Sequence, residues 1–501
     1  MVSPNDWRCG RDFVFDSGEI AKTVARRGLL ALEIEVDPGG DVREIWDVVG
    51  QAKALGARCV SIVGDEPMGH AEVLDLVSRI CSLRMQVAMF TDGAGMSAEV
   101  ARFLLANEVR VILRLASGRA GLRKQLTEPG GHCGGLPEAF RSLRDAGYPA
   151  RNGVLGVSVI VGAENYAELP SFWRWLREED LEPHFELPKA PVNGARSWQS
   201  PVRAHELHSM LRVLAESDRS FGGLEWLPQP PIAGSACVRN RVSCFVTASG
   251  SVMPCQGVRI SIGSVREKSL AELLRESEIL QDLRDFADTI RGPCVDCEQF
   301  GRCHGCRGTA FRLTGDYLAS DPLCWRNADR QAEIECLPCG VAGVVPHQKP
   351  MRLVETLVSI GERNAVVELV VPEDGPFIAA SGVLERAAYP EIVAQAAAAW
   401  NGFKSRRHDG LPRGYLLGIK RFRFDGAARA GDRLVVSLFK VARFGDFGIM
   451  EGKVSKGTHV LARGEIKVWH ENPRQTQGRR FPSDRESVVS GVSAPPELPT
   501  G

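Results

Sequence analysis

The sequence predicts an α/β protein: six parallel β/α units forming a barrel or an open sheet, then a cysteine-rich segment, then an α+β domain. Three observations carry this prediction. Continuous apolar runs alternate with helix-period segments from about residue 28 to 220. Ten of the fourteen cysteines fall between Cys237 and Cys339. Beyond residue 350 the rhythm changes to one apolar helix followed by long strands.

The apolar runs are LLALEIEV (29–36), CVSIV (59–63), QVAMF (86–90), VRVILRL (109–115), GVSVIV (156–161) and HFEL (184–187). Strands buried on both faces read this way, and intervening amphipathic segments such as VREIWDVVGQAKALG supply the crossover helices of parallel β/α units. Residues 1–232 are assigned to these units. Segment 233–330 holds the cysteines and one helical pattern, SLAELLRESEILQDLRDF (269–286), and residues 331–349 form a linker. In 350–471 the helix PEIVAQAAAAWNGF (390–403) is alanine-rich, which suits close burial against a sheet. The strands GYLLGIKRFRF, RLVVSLFKVARF, FGIMEGKVS and HVLARGEIKVWH, parted by Gly and Asp turns, predict an antiparallel meander. Residues 472–501 lack the apolar content that offsets ordering entropy and are expected to be a disordered tail.

Lys plus Arg and Asp plus Glu both number 62, so no net field draws the chain to nucleic acid or to an anionic membrane. The first residues lack the basic start and apolar run of a secretory signal, and no stretch reaches about 18 uninterrupted apolar residues. A soluble cytoplasmic protein is expected. In that reducing compartment, fourteen cysteines point to metal or redox chemistry rather than disulfides.

The spacing is Cys237-x6-Cys244-x10-Cys255, then Cys294-x2-Cys297-x5-Cys303-x2-Cys306-x17-Cys324. Eight soft thiolates make two four-iron clusters or two tetrahedral zinc sites. A zinc ribbon would use Cys294, Cys297, Cys303 and Cys306 but leave the other four without a reason. Ligand softness and the count favour clusters. The stretches CVRNRVSCFVTASGSVMPC and CVDCEQFGRCHGCRGTAFRLTGDYLASDPLC, with Gly250 before Pro254-Cys255, Thr314-Gly315-Asp316 and Asp321-Pro322, resemble the SPASM domain of radical S-adenosylmethionine enzymes. The resemblance implies two auxiliary 4Fe-4S clusters with crossed ligands: Cys237, Cys244, Cys255 and Cys306 for one, and Cys294, Cys297, Cys303 and Cys324 for the other. His304 and Trp325 adjoin ligands and could tune their potential. Cys336 and Cys339 form a further CxxC, readable as a redox pair, a spare ligand or a linker coincidence.

The β/α units resemble those of the same radical enzymes, and the resemblance implies a partial (β/α)6 barrel. Gly64-Asp65-Glu66-Pro67 stands where they carry a GGEP turn, Thr91-Asp92-Gly93 where they carry TNG, and Asn165 follows the fifth strand. Their CxxxCxxC loop is missing. The first strand passes through Asp37-Pro38-Gly39-Gly40 straight into the helix at Asp41, and Cys9 stands alone upstream. Without three thiolates nothing leaves an iron open for the cofactor, so S-adenosylmethionine cleavage is not expected and Gly64–Pro67 reads as a tight turn. Cys59, Cys81 and Cys133, on separate elements, are the other conceivable ligands. The Gly-rich loop PGGHCGG (129–135) matches no phosphate-binding pattern and reads as a connection.

The C-terminal segment resembles the hotdog fold of 3-hydroxyacyl-(acyl-carrier-protein) dehydratases, on PEIVAQAAAA, GYLLGIKRFRF and FGIMEGKVS. That resemblance gives Glu391 the acidic catalytic position, although the alternative is a first-turn carboxylate favouring the helix dipole. The partner histidine is absent from the preceding loop PEDGPFIAASGVLERAAYPE, and His408 lies far along the chain. Lys404, Arg406, Arg407 and Arg413 could meet an acidic acyl carrier protein or form a solvated loop. The expected function is an iron–sulfur protein descended from a radical enzyme and joined to an acyl-thioester-binding domain, with a redox partner or a carrier protein and homodimerisation through the hotdog. The alternatives are a dehydratase with structural clusters and an active radical enzyme with an unusual cluster site.

Overall fold

The computed structural model describes the chain except residues 1–14, 38–41, 116–120, 129–134, 150–152, 187–201, 223–227, 229–238, 301–302, 335, 406–413 and 471–501. Cys9, Cys133, Cys237, most of the PGGHCGG loop, Arg406, Arg407, His408, Arg413 and the tail therefore lie outside the described residues. The chain divides into two units, Met1–Gly340 with Thr356–Glu368, and Val341–Glu355 with Leu369–Gly501.

The first unit is built on β1 (Ala31–Glu35), β2 (Cys59–Val63), β3 (Gln86–Thr91), β4 (Arg110–Arg114), β5 (Leu155–Ile160) and β6 (Glu182–Glu186). Each pairs parallel with the next, as crossover helices require. Leu32, Ile34, Val60, Ile62, Val111 and Leu113 are fully buried in one core. Strand alternation turns Glu33 and Glu35 to the opposite face. Beyond β1 the sheet continues into the cysteine-rich segment: β7 (Ser243–Val246) pairs parallel with β1, setting Cys244 opposite Leu32, and β8 (Ser251–Met253) pairs antiparallel with β7.

The helix expected over 269–286 is three short ones, Leu270–Glu276, Glu278–Arg284 and Phe286–Thr289. Serine breaks it. Ser277 adopts an extended backbone and its hydroxyl accepts from Leu280 N at 3.2 Å, starting a new helix where a continuous one would need a helical residue. The hairpin strands Thr356–Ile360 and Asn364–Val370 follow the linker, and Glu362 between them accepts from Ser261 N at 3.0 Å. That bond ties the turn to the cysteine-rich segment, so Thr356–Glu368 counts with the first unit.

In the second unit the helix Ala388–Ser405 packs on β9 (Gly414–Phe424), β10 (Arg433–Phe444), β11 (Phe447–Lys456) and β12 (His459–His470). The order β10-β11-β12-β9 is antiparallel but not a simple meander, because β9 pairs with β12 at the far edge. Tyr389, Ile392, Val393, Ala396, Ala399 and Trp400 form the buried side of the helix. Small alanines bring it close to the strands.

Candidate functional site

The described thiols sit on short elements that each end or begin beside them. Cys294 lies in the turn Pro293–Asp296, Cys306 caps the helix Arg307–Thr314, and Cys324 precedes the stretch Trp325–Glu333. All are free of disulfides and at least half-buried. Cys306 adds to the cost of ionising Cys255; Cys303 feels Cys294 and Cys297, and Cys324 feels Cys294 and Cys303. The first pair meets because two glycines cross: a Cβ on Gly257 would lie 2.8 Å from Gly308 Cα.

Backbone and amide N–H groups point at sulfur: Val258 N to Cys255 at 3.4 Å, Gly305 N to Cys303 at 3.4 Å, Thr309 N to Cys306 at 3.3 Å, and Asn327 Nδ2 to Cys294 at 3.3 Å. Burial pushes Cys255 up to about 11 and Cys244 and Cys324 up to about 12. Such thiols stay protonated alone and give up protons to a metal. Buried sulfurs already served by N–H donors fit iron–sulfur ligation. Among the described residues no three His, Cys, Asp or Glu side chains lie close enough for a single metal ion; a four-iron core is wider and holds its thiolates further apart.

Asp321, fully buried, braces the ligand loops by accepting from Cys306 N at 2.8 Å and Leu323 N at 2.9 Å. The His304 ring sits edge-on to Phe286 with Nδ1 2.8 Å from Gly305 O, and Trp325 stacks on His208 at 4.6 Å. Burial also pushes the Cys336 thiol up to about 11, with the buried Asp321 carboxylate adding to it.

At the C-terminal ends of β2 and β3, Glu66 is consumed by its own turn. Its carboxylate accepts from Met68 N at 2.9 Å, Thr91 Oγ1 at 2.6 Å and Asp92 N at 2.6 Å. Burial, together with the Asp92 carboxyl, raises it to about 7. Asn165 likewise serves its loop, accepting from Gly162 N at 3.0 Å and donating to Ile160 O at 2.9 Å. Cys59 opens β2 and Cys81 closes the helix Val73–Ser82, so both lie at the end of the units away from this turn.

The second unit carries a different constellation. A groove of about 620 Å³, open mouth included, is lined by His347, Glu391, Ala394, Ala397, Ala398 and Asn401, with Tyr415, Leu416, Val468 and Trp469. Glu391 Oε1 lies 3.6 Å from His347 Nε2. His347 Nδ1 is buried with no hydrogen-bond partner among the described residues. Gly402 makes room for the histidine's segment, since a Cβ there would sit 1.8 Å from Val344 O. Gln395, fully buried, completes the link: Nε2 donates to Glu391 Oε1 at 2.9 Å and to Met351 O at 2.7 Å, while Oε1 accepts from Leu353 N at 2.8 Å.

His347 is the residue that inspection of the loop before the helix misses. It lies more than forty residues upstream, in Val345-Pro346-His347, ahead of the first strand of the C-terminal region. Its flanking Pro346 and Pro350 mark a rigid, extended segment and were the available signal.

Comparison with known proteins finds a matching domain over each of the two regions. A SPASM iron–sulfur cluster-binding domain matches residues 237–307, and an ApeP-like dehydratase domain matches 339–478. An AdoMet-dependent heme synthase of Methanosarcina barkeri is 36% identical over 326 residues, covering 57% of this chain and 88% of the relative. The chain belongs to the radical S-adenosylmethionine family of the heme synthases and PqqA cyclases. Within that family, a PqqA peptide cyclase of Rhizobium meliloti is 25% identical, over 69% of this chain and 92% of its own. Of solved structures, the dehydratase heterocomplex ApeI:P from Xenorhabdus doucetiae aligns with 28% of this chain and 96% of that one at 26% identity and a TM-score of 0.26. This radical SAM/SPASM-like protein is thus fused to an ApeP-like dehydratase domain that contains His347, Glu391 and Gln395. No described helix is long and apolar enough to cross a membrane.

In this fused radical SAM protein the Gln395 amide gives a direct prediction. Gln395→Leu strands the buried Leu353 N without a partner and frees Met351 O to solvent, a cost of about 1–3 kcal/mol for the buried N–H. Thermal unfolding of the variant should show a clearly lowered transition for the second unit. An unchanged transition would mean that the clamp holds nothing.

Proposed function

We propose that the second unit is a hotdog domain that binds acyl thioesters and dehydrates 3-hydroxyacyl chains. The single observation behind this reading is the His347–Glu391 pair at one end of an apolar groove. Neutral His347 Nε2 takes the proton from the α-carbon. The C–O bond at the β-carbon breaks as Glu391 gives its proton to the leaving hydroxyl, and the products are water and a 2-enoyl thioester. The histidine then returns a proton to the carboxylate. Gln395 orients Glu391 by its hydrogen bond to Oε1. Incubation with a 3-hydroxyacyl thioester of pantetheine should produce the absorbance of a conjugated enoyl thioester; no turnover over a range of chain lengths would sink the reading.

The groove belongs to a unit whose edge strand β9 exposes Tyr415, Leu417 and Ile419 on a row of unpaired backbone. Exposed apolar edges invite pairing, and this supports a homodimer through the hotdog. The substrate would be delivered by an acyl carrier protein, for which the basic residues Lys404, Arg406, Arg407 and Arg413 are the candidate contact.

A second observation favours a companion reading for the first unit. β1 reaches the helix Val42–Ala54 through a connection that carries no cysteine. In this reading Cys237, Cys244, Cys255 and Cys306 hold one four-iron cluster, Cys294, Cys297, Cys303 and Cys324 hold another, and S-adenosylmethionine is not cleaved. Bound clusters supply one-electron transfer at a potential set partly by hydrogen bonds to sulfur. The N–H donors on Cys255, Cys294, Cys303 and Cys306 would raise that potential for exchange with a redox partner. Anaerobic reconstitution should yield about eight irons per chain with no 5′-deoxyadenosine formed under reduction. Formation of 5′-deoxyadenosine would reinstate an active radical enzyme with an unusual cluster site.

A further inference from the structure

The groove of the second unit follows the helix rather than crossing it. Glu391, Ala394, Ala398 and Asn401 are its partly exposed residues on one helical stripe, with Ala397 buried beneath. Ten residues of α-helix separate the carboxylate from Asn401, which is roughly 15 Å along the axis. Between them the helical floor is alanine only, and the strand side of the groove adds the aromatic Tyr415 and Trp469.

Asn401 breaks that pattern. An asparagine inside a helix is a weaker helix former than alanine by roughly 0.6 kcal/mol, and its amide makes no hydrogen bond among the described residues. A polar amide on a helical stripe that is otherwise alanine beyond Glu391 discriminates between ligands by what they bring to it, because a chain whose methyl end lies against it must desolvate the amide without repaying it.

We infer that Asn401 is a specificity-determining residue that selects acyl thioesters carrying a hydrogen-bonding group, such as a hydroxyl, at the far end of the chain. This rests on the acyl-thioester reading of the groove. It adds the chemistry of the chain's distal end.

The experiment measures binding rather than turnover. Saturated S-acyl pantetheine thioesters of increasing length, each ending in a methyl or a hydroxyl group, are titrated into the full-length protein by calorimetry. Hydroxyl-ended chains should bind about tenfold more tightly than methyl-ended ones, the worth of one hydrogen bond of roughly 1.4 kcal/mol. That preference should appear only once the chain is long enough to reach Asn401. In Asn401→Leu the preference should reverse in favour of methyl, and thermal unfolding confirms that the variant is folded. Equal binding of both chain types at every length, or a preference unchanged in folded Asn401→Leu, overturns the inference alone. If no acyl thioester binds, the acyl-thioester reading fails, and the inference fails with it.

Discussion

Glu391→Gln should abolish dehydration while leaving the second unit folded. The substitution keeps the shape of the side chain on a helix whose other face is buried, so stability should change little. It removes the carboxyl that, in the proposed mechanism, protonates the leaving hydroxyl, 3.6 Å from His347 Nε2. General acid–base groups contribute about 10²–10⁴-fold to rate, and a loss of that size is expected in both kcat and kcat/KM. His347→Ala should lose a similar factor. Because the two groups act on one event, the double variant should be scarcely worse than either single one. Additive losses would mean two independent effects, and a folded Glu391→Gln with full activity would assign Glu391 to the bland role of a first-turn carboxylate facing the helix dipole. Steady-state kinetics beside a thermal unfolding curve decides the matter.

Removal of iron should cost the cysteine-rich segment its fold. Apart from Cys244, which is held in β7 beside β1, the described thiols rest on short elements: a capping turn at Cys306, a 3-10 turn at Cys294, and the Asp321 brace between them. The thiols are buried and hard to ionise, so without metal the segment pays desolvation with no return. Metal binding to such sites is folding free energy on the order of 10 kcal/mol. Anaerobic chelation should therefore erase a cooperative unfolding transition and expose Cys244, Cys294 and Cys324 to a thiol reagent, while the second unit keeps its own transition. Cys306→Ser should lose about half of the bound iron and retain a paramagnetic signal from the other set. Loss of all iron from that variant would show that the sets are not independent.

Much of the first unit was legible because buried parallel strands announce themselves: CVSIV became Cys59–Val63 and QVAMF became Gln86–Thr91 almost residue for residue. Helix continuity was less so. The periodicity of residues 269–286 is real, yet Ser277 offers its hydroxyl to the chain ahead and resets the helix, a local competition that hydrophobic spacing does not register. The position of β9 was also out of reach, because four antiparallel strands of similar pattern pair in several orders and only packing chooses one.

By itself the sequence determined which kinds of domain the chain carries. The cysteine spacings, the absent CxxxCxxC and the acidic residue on an alanine-rich helix are all local patterns, and local patterns are carried by the order of residues. Only the tertiary structure decided which of those residues meet. His347 comes to Glu391 across more than forty residues because Gly402 lets its segment lie against the helix and Gln395 pins that segment there. Cys255 comes to Cys306 because Gly257 and Gly308 cross without side chains. Contacts between remote residues depend on shape and backbone approach, and these are properties of the packed chain.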